Sequence, residues 1–480
     1  RLDMLLSRDT HVDPQERVAN WKEINRWAKT FSRNKVLVSS KAARREKFGK
    51  EIQSLIEESG YNVILALREK DPLKAAQGFE QFVKDYPGSQ YAHRALYAAM
   101  VIFDEANQLD LAINAGKHML KKYTDSDRYN PTIGFLADFH TRVADFGTAA
   151  HYNEMYFDKY LDQQGKSKKK KKRRSRRRKK KASGDKAQAM LITDKEARDA
   201  LYNAGLLRES MGQFDRAVAN YAKYIKHFPD AEDVPDIFYK IGSTYERRGQ
   251  WRKADRVYEA YPEKFGDRSS AGRMLAVVYK HAMALRKMGK EKESDKLLDK
   301  IIDSYNRLPE KARNEEAREA VSHARFLQLD KEYRDYIDLK LVLPPRTLKR
   351  NLFKKIEIRP KLEQKYQEIV GYKDPDWSIA ALVRIGQLSQ DLSQSMYEAP
   401  IPAGLTPDQQ DIYVEELQKQ ALPLEESAMT FYRKAIEVSY SKAIYNQWTL
   451  KAQEQIRAYQ PNSFPEPFEA ELASPEFFYT

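Results

Sequence analysis

Small and apolar residues along this chain fall at the three- and four-residue spacings of a helix face. Asp71–Gly88 reads D-P-L-K-A-A-Q-G-F-E-Q-F-V-K-D-Y-P-G, Gly205–Pro229 reads G-L-L-R-E-S-M-G-Q-F-D-R-A-V-A-N-Y-A-K-Y-I-K-H-F-P, Gly242–Tyr261 reads G-S-T-Y-E-R-R-G-Q-W-R-K-A-D-R-V-Y-E-A-Y, and Ala428–Ala435 reads A-M-T-F-Y-R-K-A. Each sets a small residue four positions before an aromatic, with another aromatic or an alanine three positions later. Residues three and four apart are stacked neighbours on a helix. The pattern recurs with a period of about 34 to 40 residues, which predicts an all-α solenoid of helical hairpins. Such folds hold partners on long surfaces and rarely build a catalytic pocket.

The period places hairpins at 56–89, 93–126, 130–163, 198–231, 235–268 and 275–308. Unit 198–231 (Leu201, Gly205, Gly212, Ala217, Tyr221, Pro229) and unit 235–268 (Phe238, Gly242, Tyr245, Gly249, Ala254, Tyr258) carry it most fully. Units 93–126 (Leu96, Phe103, Ala112) and 275–308 (Gly289, Leu298) carry it less, and 130–163 least. Two helices approach closely only where the crossing residues are small, which assigns Gly205, Ala217, Gly242 and Ala254 to the crossings. Tyr and Phe then fill the space between hairpins, and Pro87 and Pro229 end second helices because proline cannot continue the hydrogen-bond ladder.

Around these hairpins the chain divides further. Residues 1–55, with Trp21 and Trp27, read as lead-in helices before the first hairpins at 56–163. Residues 164–190 read as a disordered basic loop, 191–308 as the central hairpins, and 309–375 as an irregular helical segment broken at Pro344-Pro345. Residues 376–460 read as one hairpin, Trp377–Ser395 and Leu422–Ser439, split by an insertion at 396–421 and closed by a capping helix at Asn446–Tyr459. The tail 461–480, with four prolines among aromatics, is expected to lie extended on the body or on a partner.

These residues resemble the tetratricopeptide repeat, whose pattern runs aromatic, Leu-Gly, Tyr, Ala, Phe, Ala, Pro; units 198–231 and 235–268 match most of it. Arg208 departs from it, standing where the first helix usually has Tyr, and Gly266 replaces the closing Pro. The resemblance implies a right-handed superhelical solenoid with a concave partner-binding face. The run Ala75–Ala92 resembles the form used by Gram-negative envelope assembly proteins, and the broken C-terminal repeat with its Pro-rich end resembles proteins of the myxobacterial gliding-motility machinery. Those resemblances imply a non-enzymatic scaffold in a bacterial envelope or motility complex, periplasmic or envelope-associated, with other protein subunits as partners. The chain begins at Arg1 with no apolar segment after it, so a targeting segment is expected upstream.

Composition changes this picture in one respect. The chain has 480 residues, 41% apolar, with mean hydropathy −0.77, as a thin-cored solenoid requires. No apolar run approaches the ~20 residues that span a bilayer. The net charge is +15, which suggests a nucleic-acid binder until the charge is located. Lys166–Lys181 holds 14 basic residues and no acid, so the rest of the chain carries about +1. Lys168, Lys170, Lys172, Arg173, Arg174, Arg176, Arg177, Arg178 and Lys180 are the candidate polyanion contacts. The run has no aromatic for base stacking and equally fits a solvated insertion. The alternative function is a nucleic-acid-associated repeat protein that uses this run as an electrostatic arm.

The sequence points to no enzyme. There is no cysteine, and the eight histidines show no H-E-x-x-H or other metal-ligand spacing. G-x-S-x-G, phosphate-loop and dinucleotide-binding glycine patterns are missing as well. No catalytic residue, metal site, cofactor or small-molecule substrate is expected. The fifth position of a tetratricopeptide unit faces the concave groove, which assigns Tyr97, Tyr202, Tyr239 and Tyr279 to a tyrosine stripe. Tyrosine suits a binding face because its large amphipathic ring loses little rotamer freedom. The twelfth position adds Asp104, Glu209 and Glu246, which favour a basic or hydrogen-bond-donating ligand; the competing reading is that the tyrosines pack between hairpins.

Overall fold

The computed structural model describes residues 14–33, 42–176 and 191–464, and every regular element among them is helical. The chain forms two compact units, 1–238 and 239–480. In the first, α1 (Pro14–Arg33) and α2 (Ala42–Leu67) precede α3 (Pro72–Asp85), α4 (Ala92–Glu105), α5 (Leu109–Lys122), α6 (Tyr129–Arg142), α7 (Phe146–Arg176), α8 (Asp194–Ser210) and α9 (Phe214–His227). Helix α10 (Val234–Arg247) crosses the division. The second unit continues with α11 (Trp251–Phe265), α12 (Ala271–Lys287), α13 (Glu291–Arg307), α14 (Glu315–Ile337), α15 (Pro345–Gly371), α16 (Pro375–Tyr397), α17 (Pro407–Ser441) and α18 (Gln447–Tyr459).

The hairpin ends follow local chemistry. Asp71 accepts from the Lys74 amide at 3.0 Å and caps α3, and Thr193 with Glu196 forms a capping box on α8. Pro87 and Pro229 lie two residues beyond α3 and α9. The turns inside five successive hairpins, α4–α5 to α12–α13, each hold one residue at positive φ. Gly212 (+71°), Gly249 (+68°) and Gly289 (+77°) supply it at no steric cost, whereas Asn107 (57°) and Ala144 (58°) supply it in the two preceding hairpins.

The crossings are as tight as the small residues imply. A Cβ on Gly205 would stand 2.3 Å from Tyr221 Cε1, and one on Gly242 would stand 2.5 Å from Tyr258 Cε1. Ala217 and Ala254, one turn before those rings, are fully buried. In hairpin α4–α5 the glycine is on the second helix: a Cβ on Gly116 would stand 2.9 Å from Leu136 Cδ2 of α6 and 3.2 Å from Met100 Sδ of α4. Unit 130–163, weakest in sequence, forms hairpin α6–α7 around buried Ile133, Leu136, Phe139, Ala149, Ala150 and Phe157.

The structure departs from the sequence reading in four places. The lead-in does not stop at 55, because α2 runs unbroken into the first hairpin with Ile52 and Ile56 buried against α1. The expected disordered loop is helical as far as Arg176, since α7 continues through Lys168, Lys170, Lys172, Arg173, Arg174 and Arg176. Propagating an established helix costs far less than nucleating one, and Lys and Arg are good helix formers. Arg177, Arg178 and Lys180 lie outside the described residues.

Residues 309–375 are two long regular helices, α14 and α15. Finally, the insertion at 396–421 is mostly helix. Helix α17 starts at a Thr406–Gln409 capping box and runs 35 residues, past Pro423, instead of beginning at Leu422. Packing on both sides of the proline holds it: Ala421 and Ala428 are buried, the first beside Leu392 and Met396. Nearby, Lys355 is fully buried, paired with Asp391 and 4.7 Å from the Tyr336 ring; burial pushes the lysine's pKa down and the aspartate's up. The tail 465–480 lies outside the described residues.

Candidate partner-binding surface

The tyrosine stripe separates into individual cases. In the first unit, Tyr97 is half-buried, edge-on to Phe135 at 6.0 Å and under the Arg128 guanidinium at 5.2 Å. Tyr202 is exposed and tilts onto Tyr221 at 6.3 Å. In the second unit, Tyr239 is half-buried against Tyr258, with Arg273 4.7 Å above its ring; burial pushes its hydroxyl up to about 12. Tyr279 is the correction, because it is buried rather than accessible.

The reason for its burial is an aromatic ladder across the first helices of successive hairpins. Tyr279 on α12 pairs through its hydroxyl with His323 on α14 and lies 4.7 Å from that ring. His323 stacks on Trp377 of α16 at 3.6 Å. Phe326 of α14 continues to Trp377 at 5.1 Å and to Trp448 of α18 at 5.3 Å. Arg384 lies 3.9 Å from the Tyr333 ring and 5.1 Å from Trp448. The loss of solvation pushes the His323 pKa down to about 3, with Lys280 and Arg286 acting the same way.

The three candidate acids already have partners in the fold. Arg142 donates to Asp104. Tyr221 donates to buried Glu209 at 3.2 Å. Lys280 Nζ is 3.1 Å from Glu246. Arg208, the departure from the repeat pattern, is buried and bidentate to Glu154 at 3.0 and 2.8 Å, while Asn220 donates to the same carboxylate at 3.0 Å. It joins hairpins α6–α7 and α8–α9 with charge where an aromatic ring usually packs.

Carboxylates gather elsewhere in the second unit. Asn314 caps α14 and Asp374 caps α16, with Glu315, Glu316 and Asp376 in the first turns and Glu319 one turn along α14. Glu319 makes no hydrogen bond to another of the described residues; partial desolvation of its carboxyl, then the Asp374 charge, raises its pKa, with Lys280 opposing. Asp374 is raised by burial, with Asp376 and Glu315 adding. Arg273 Nη2 is 3.1 Å from Glu316, and its guanidinium also covers Tyr239, so that tyrosine borders the acidic surface. The sequence carried the signal for this surface in the N-cap residue followed by acids, N-E-E and D-P-D. The described residues hold no group of three His, Cys, Asp or Glu arranged to bind a metal ion, and no helix among them is long and apolar enough to cross a membrane.

Residues 199–231, 236–267 and 276–305 match the sequence profile of the tetratricopeptide repeat. The chain carries tetratricopeptide repeats. The matched spans are hairpins α8–α9, α10–α11 and α12–α13, the ones built on Gly205–Tyr221, Gly242–Tyr258 and the buried pair Ala282 and Leu298. Photosystem I assembly protein Ycf3 of Rippkaea orientalis is 27% identical over 119 residues, 24% of this chain and 69% of that protein. Among solved structures, a tetratricopeptide-repeat protein from Parabacteroides merdae aligns at 11% identity over 77% of this chain and 99% of its own, with a TM-score of 0.27. The apo quorum sensor NprR of B. thuringiensis aligns at 11% identity over 91% and 97%, with a TM-score of 0.28. PilW, a type IV pilus biogenesis factor, aligns at 19% identity over 51% and 93%, with a TM-score of 0.23. Tetratricopeptide repeats generally serve as non-enzymatic protein-interaction scaffolds.

Proposed function

We propose that this chain is a non-enzymatic scaffold whose repeats hold a basic or hydrogen-bond-donating protein segment, within a multiprotein complex of a bacterial envelope or motility apparatus. The observation that carries the ligand class is the acidic surface of α14 and α16. Burial and mutual repulsion raise Glu319 and Asp374, so a cation placed there relieves an unfavourable charge arrangement. Tyr239, under Arg273 at its edge, supplies an aromatic anchor of low rotamer entropy. The repeat fold itself supports the scaffold role, and the Ala75–Ala92 run supports the envelope setting.

A peptide array read with the purified chain tests the ligand class. Lys- and Arg-bearing segments should be retained over acidic ones, and Glu319→Lys should reduce retention about tenfold with helicity unchanged. Equal retention of acidic and basic peptides, or unaltered binding by Glu319→Lys, would sink the reading. Cell fractionation tests the envelope setting, since the protein should leave with the periplasmic or membrane-associated fraction. The basic run 166–181 is assigned the lesser role of a polyanion contact; deleting it should abolish any salt-dependent binding to nucleic acid while peptide retention persists.

A further inference from the structure

Helix α15 uses its cations in two different ways. From Lys355 onward they are paired: Lys355 with Asp391, Arg359 with Glu363 at 2.9 Å, Lys361 with Glu357 at 2.6 Å and Lys365 with Glu332 at 2.6 Å. In its first half, Arg346, Lys349, Arg350 and Lys354 are all exposed, and none of the four forms an ion pair among the described residues. Apolar side chains stand beside them with nothing covering them. Phe353 is 59% exposed, Val342 47%, Leu343 44% and Ile356 43%. Positions 346, 349, 353 and 356 fall three and four apart on α15, so they share one stripe, with Val342 and Leu343 in the segment just before the helix, and Lys349 Nζ lies 5.8 Å from the Phe353 ring.

The complement to this stripe is in the same chain. Residues 465–480 read P-E-P-F-E-A-E-L-A-S-P-E-F-F-Y-T, with four glutamates, no basic residue, and Phe468, Leu472, Phe477, Phe478 and Tyr479. The segment leaves the fold at the right end of the right helices. Phe464 packs on the core of α16, α17 and α18, and its carbonyl accepts from Arg457 Nε at 3.0 Å. Tyr459, at the end of α18, stands near Gln390, Tyr397 and Glu425. Leu352 of α15 packs near Leu392, Met396 and Ala421, the same end of α16. Sixteen residues extend up to ~50 Å, more than the width of the intervening hairpin.

We propose that residues 465–480 dock on the basic, apolar stripe of α15 in the same chain, with Glu466, Glu469, Glu471 and Glu476 meeting Arg346, Lys349, Arg350 and Lys354, and the aromatics covering Phe353 and Ile356. The pairing has both components that a specific contact needs, opposite charge for register and apolar area for affinity.

Hydrogen exchange read by mass spectrometry tests it on the full chain, on a chain ending at Phe464, and on a full chain with the four tail glutamates changed to lysine. Peptides covering 340–357 should exchange at least about threefold faster in both variants than in the full chain. A synthetic peptide of 465–480 added to the shortened chain should restore protection, and Lys349→Glu or Phe353→Ser should weaken that peptide at least about fivefold. Unchanged exchange at 340–357 in both variants overturns the proposal. So does a full chain that elutes as a dimer only while the tail is present, which would place the tail on a second copy. Equal binding of the full and shortened chains to vesicles of anionic phospholipid also overturns it, because the stripe would then be open in both.

Discussion

Replacing Gly242 with alanine separates helix propensity from packing because the two predict opposite signs. In a helix interior alanine is favoured over glycine by ~1 kcal/mol, so an unobstructed Gly242→Ala should stabilise the protein. The crossing is obstructed. The new methyl would stand 2.5 Å from Tyr258 Cε1, 2.8 Å from Cζ and 3.1 Å from the hydroxyl, and the ring is 1% exposed with no free volume to enter. Overpacking of this kind costs ~1–3 kcal/mol, and an overlap of more than an ångström with two ring atoms belongs at the upper end. Subtracting the propensity gain leaves a net destabilisation of ~2 kcal/mol, which for a unit of this size lowers the melting midpoint by ~4–8 °C.

Circular dichroism at 222 nm across a thermal ramp reads the effect, with Gly134→Ala as control. There the nearest atom is Tyr156 Cε2 at 3.6 Å, an ordinary contact, and the midpoint should rise. The double variant Gly242→Ala with Tyr258→Leu should lose less than the two single changes summed, because hairpin α12–α13 already buries Ala282 and Leu298 at the same sixteen-residue separation. A Gly242→Ala chain melting at or above the wild-type midpoint would refute the crossing geometry.

Three further outcomes follow from single sites. Ala144→Gly, in the hairpin turn at φ 58°, should stabilise by ~1 kcal/mol, read as a higher denaturant midpoint, because glycine removes the left-handed penalty that Gly212, Gly249 and Gly289 avoid. Glu154→Gln should cost ~3–5 kcal/mol in the same titration, since it leaves the Arg208 charge buried and unpaired. His323 is held down to about 3, below its unfolded value near 6.5, so the unfolded chain takes up the proton first. Stability should therefore fall as pH drops below ~6.5, by ~2 kcal/mol at pH 5, and His323→Gln should flatten that slope in melts taken between pH 7 and 5.

The hairpins were legible because their determinants are local and repeated: Gly205, Ala217, Tyr221 and their counterparts in the next unit lie within one period of each other. What could not be read was set by long-range packing. Tyr279 occupies the same position as Tyr202 and Tyr239, yet it is buried, with His323 against its ring and Trp377 stacked on that histidine, both on helices outside the matched repeats. The three twelfth-position acids lie on α4, α8 and α10. Their cationic or hydroxyl partners, Arg142, Lys280 and Tyr221, became visible only once neighbouring helices were stacked. The sequence reading began the second helix at Leu422, but α17 starts at Pro407 and runs through Pro423, with Ala421 and Ala428 buried on either side of that proline.

The C-terminal hairpin shows how the repeat accommodates extra length. Gly386 would place a Cβ 2.6 Å from Tyr432 Cε1, the same crossing as Gly205 with Tyr221 and Gly242 with Tyr258. The separation is 46 residues (432 minus 386) where the others have 16 (221 minus 205), so 30 residues have entered the hairpin without altering its crossing. They are tolerated because they bring a core of their own: Leu392, Met396 and Ala421 bury against one another and against Leu352, Leu417 and Leu424. An extension of α16 and α17 alone would have left that apolar edge in water. The first half of α15 covers it with Leu352, and in doing so turns Phe353, Ile356 and four unpaired cations outward. The exposed stripe is thus a geometric consequence of lengthening the hairpin.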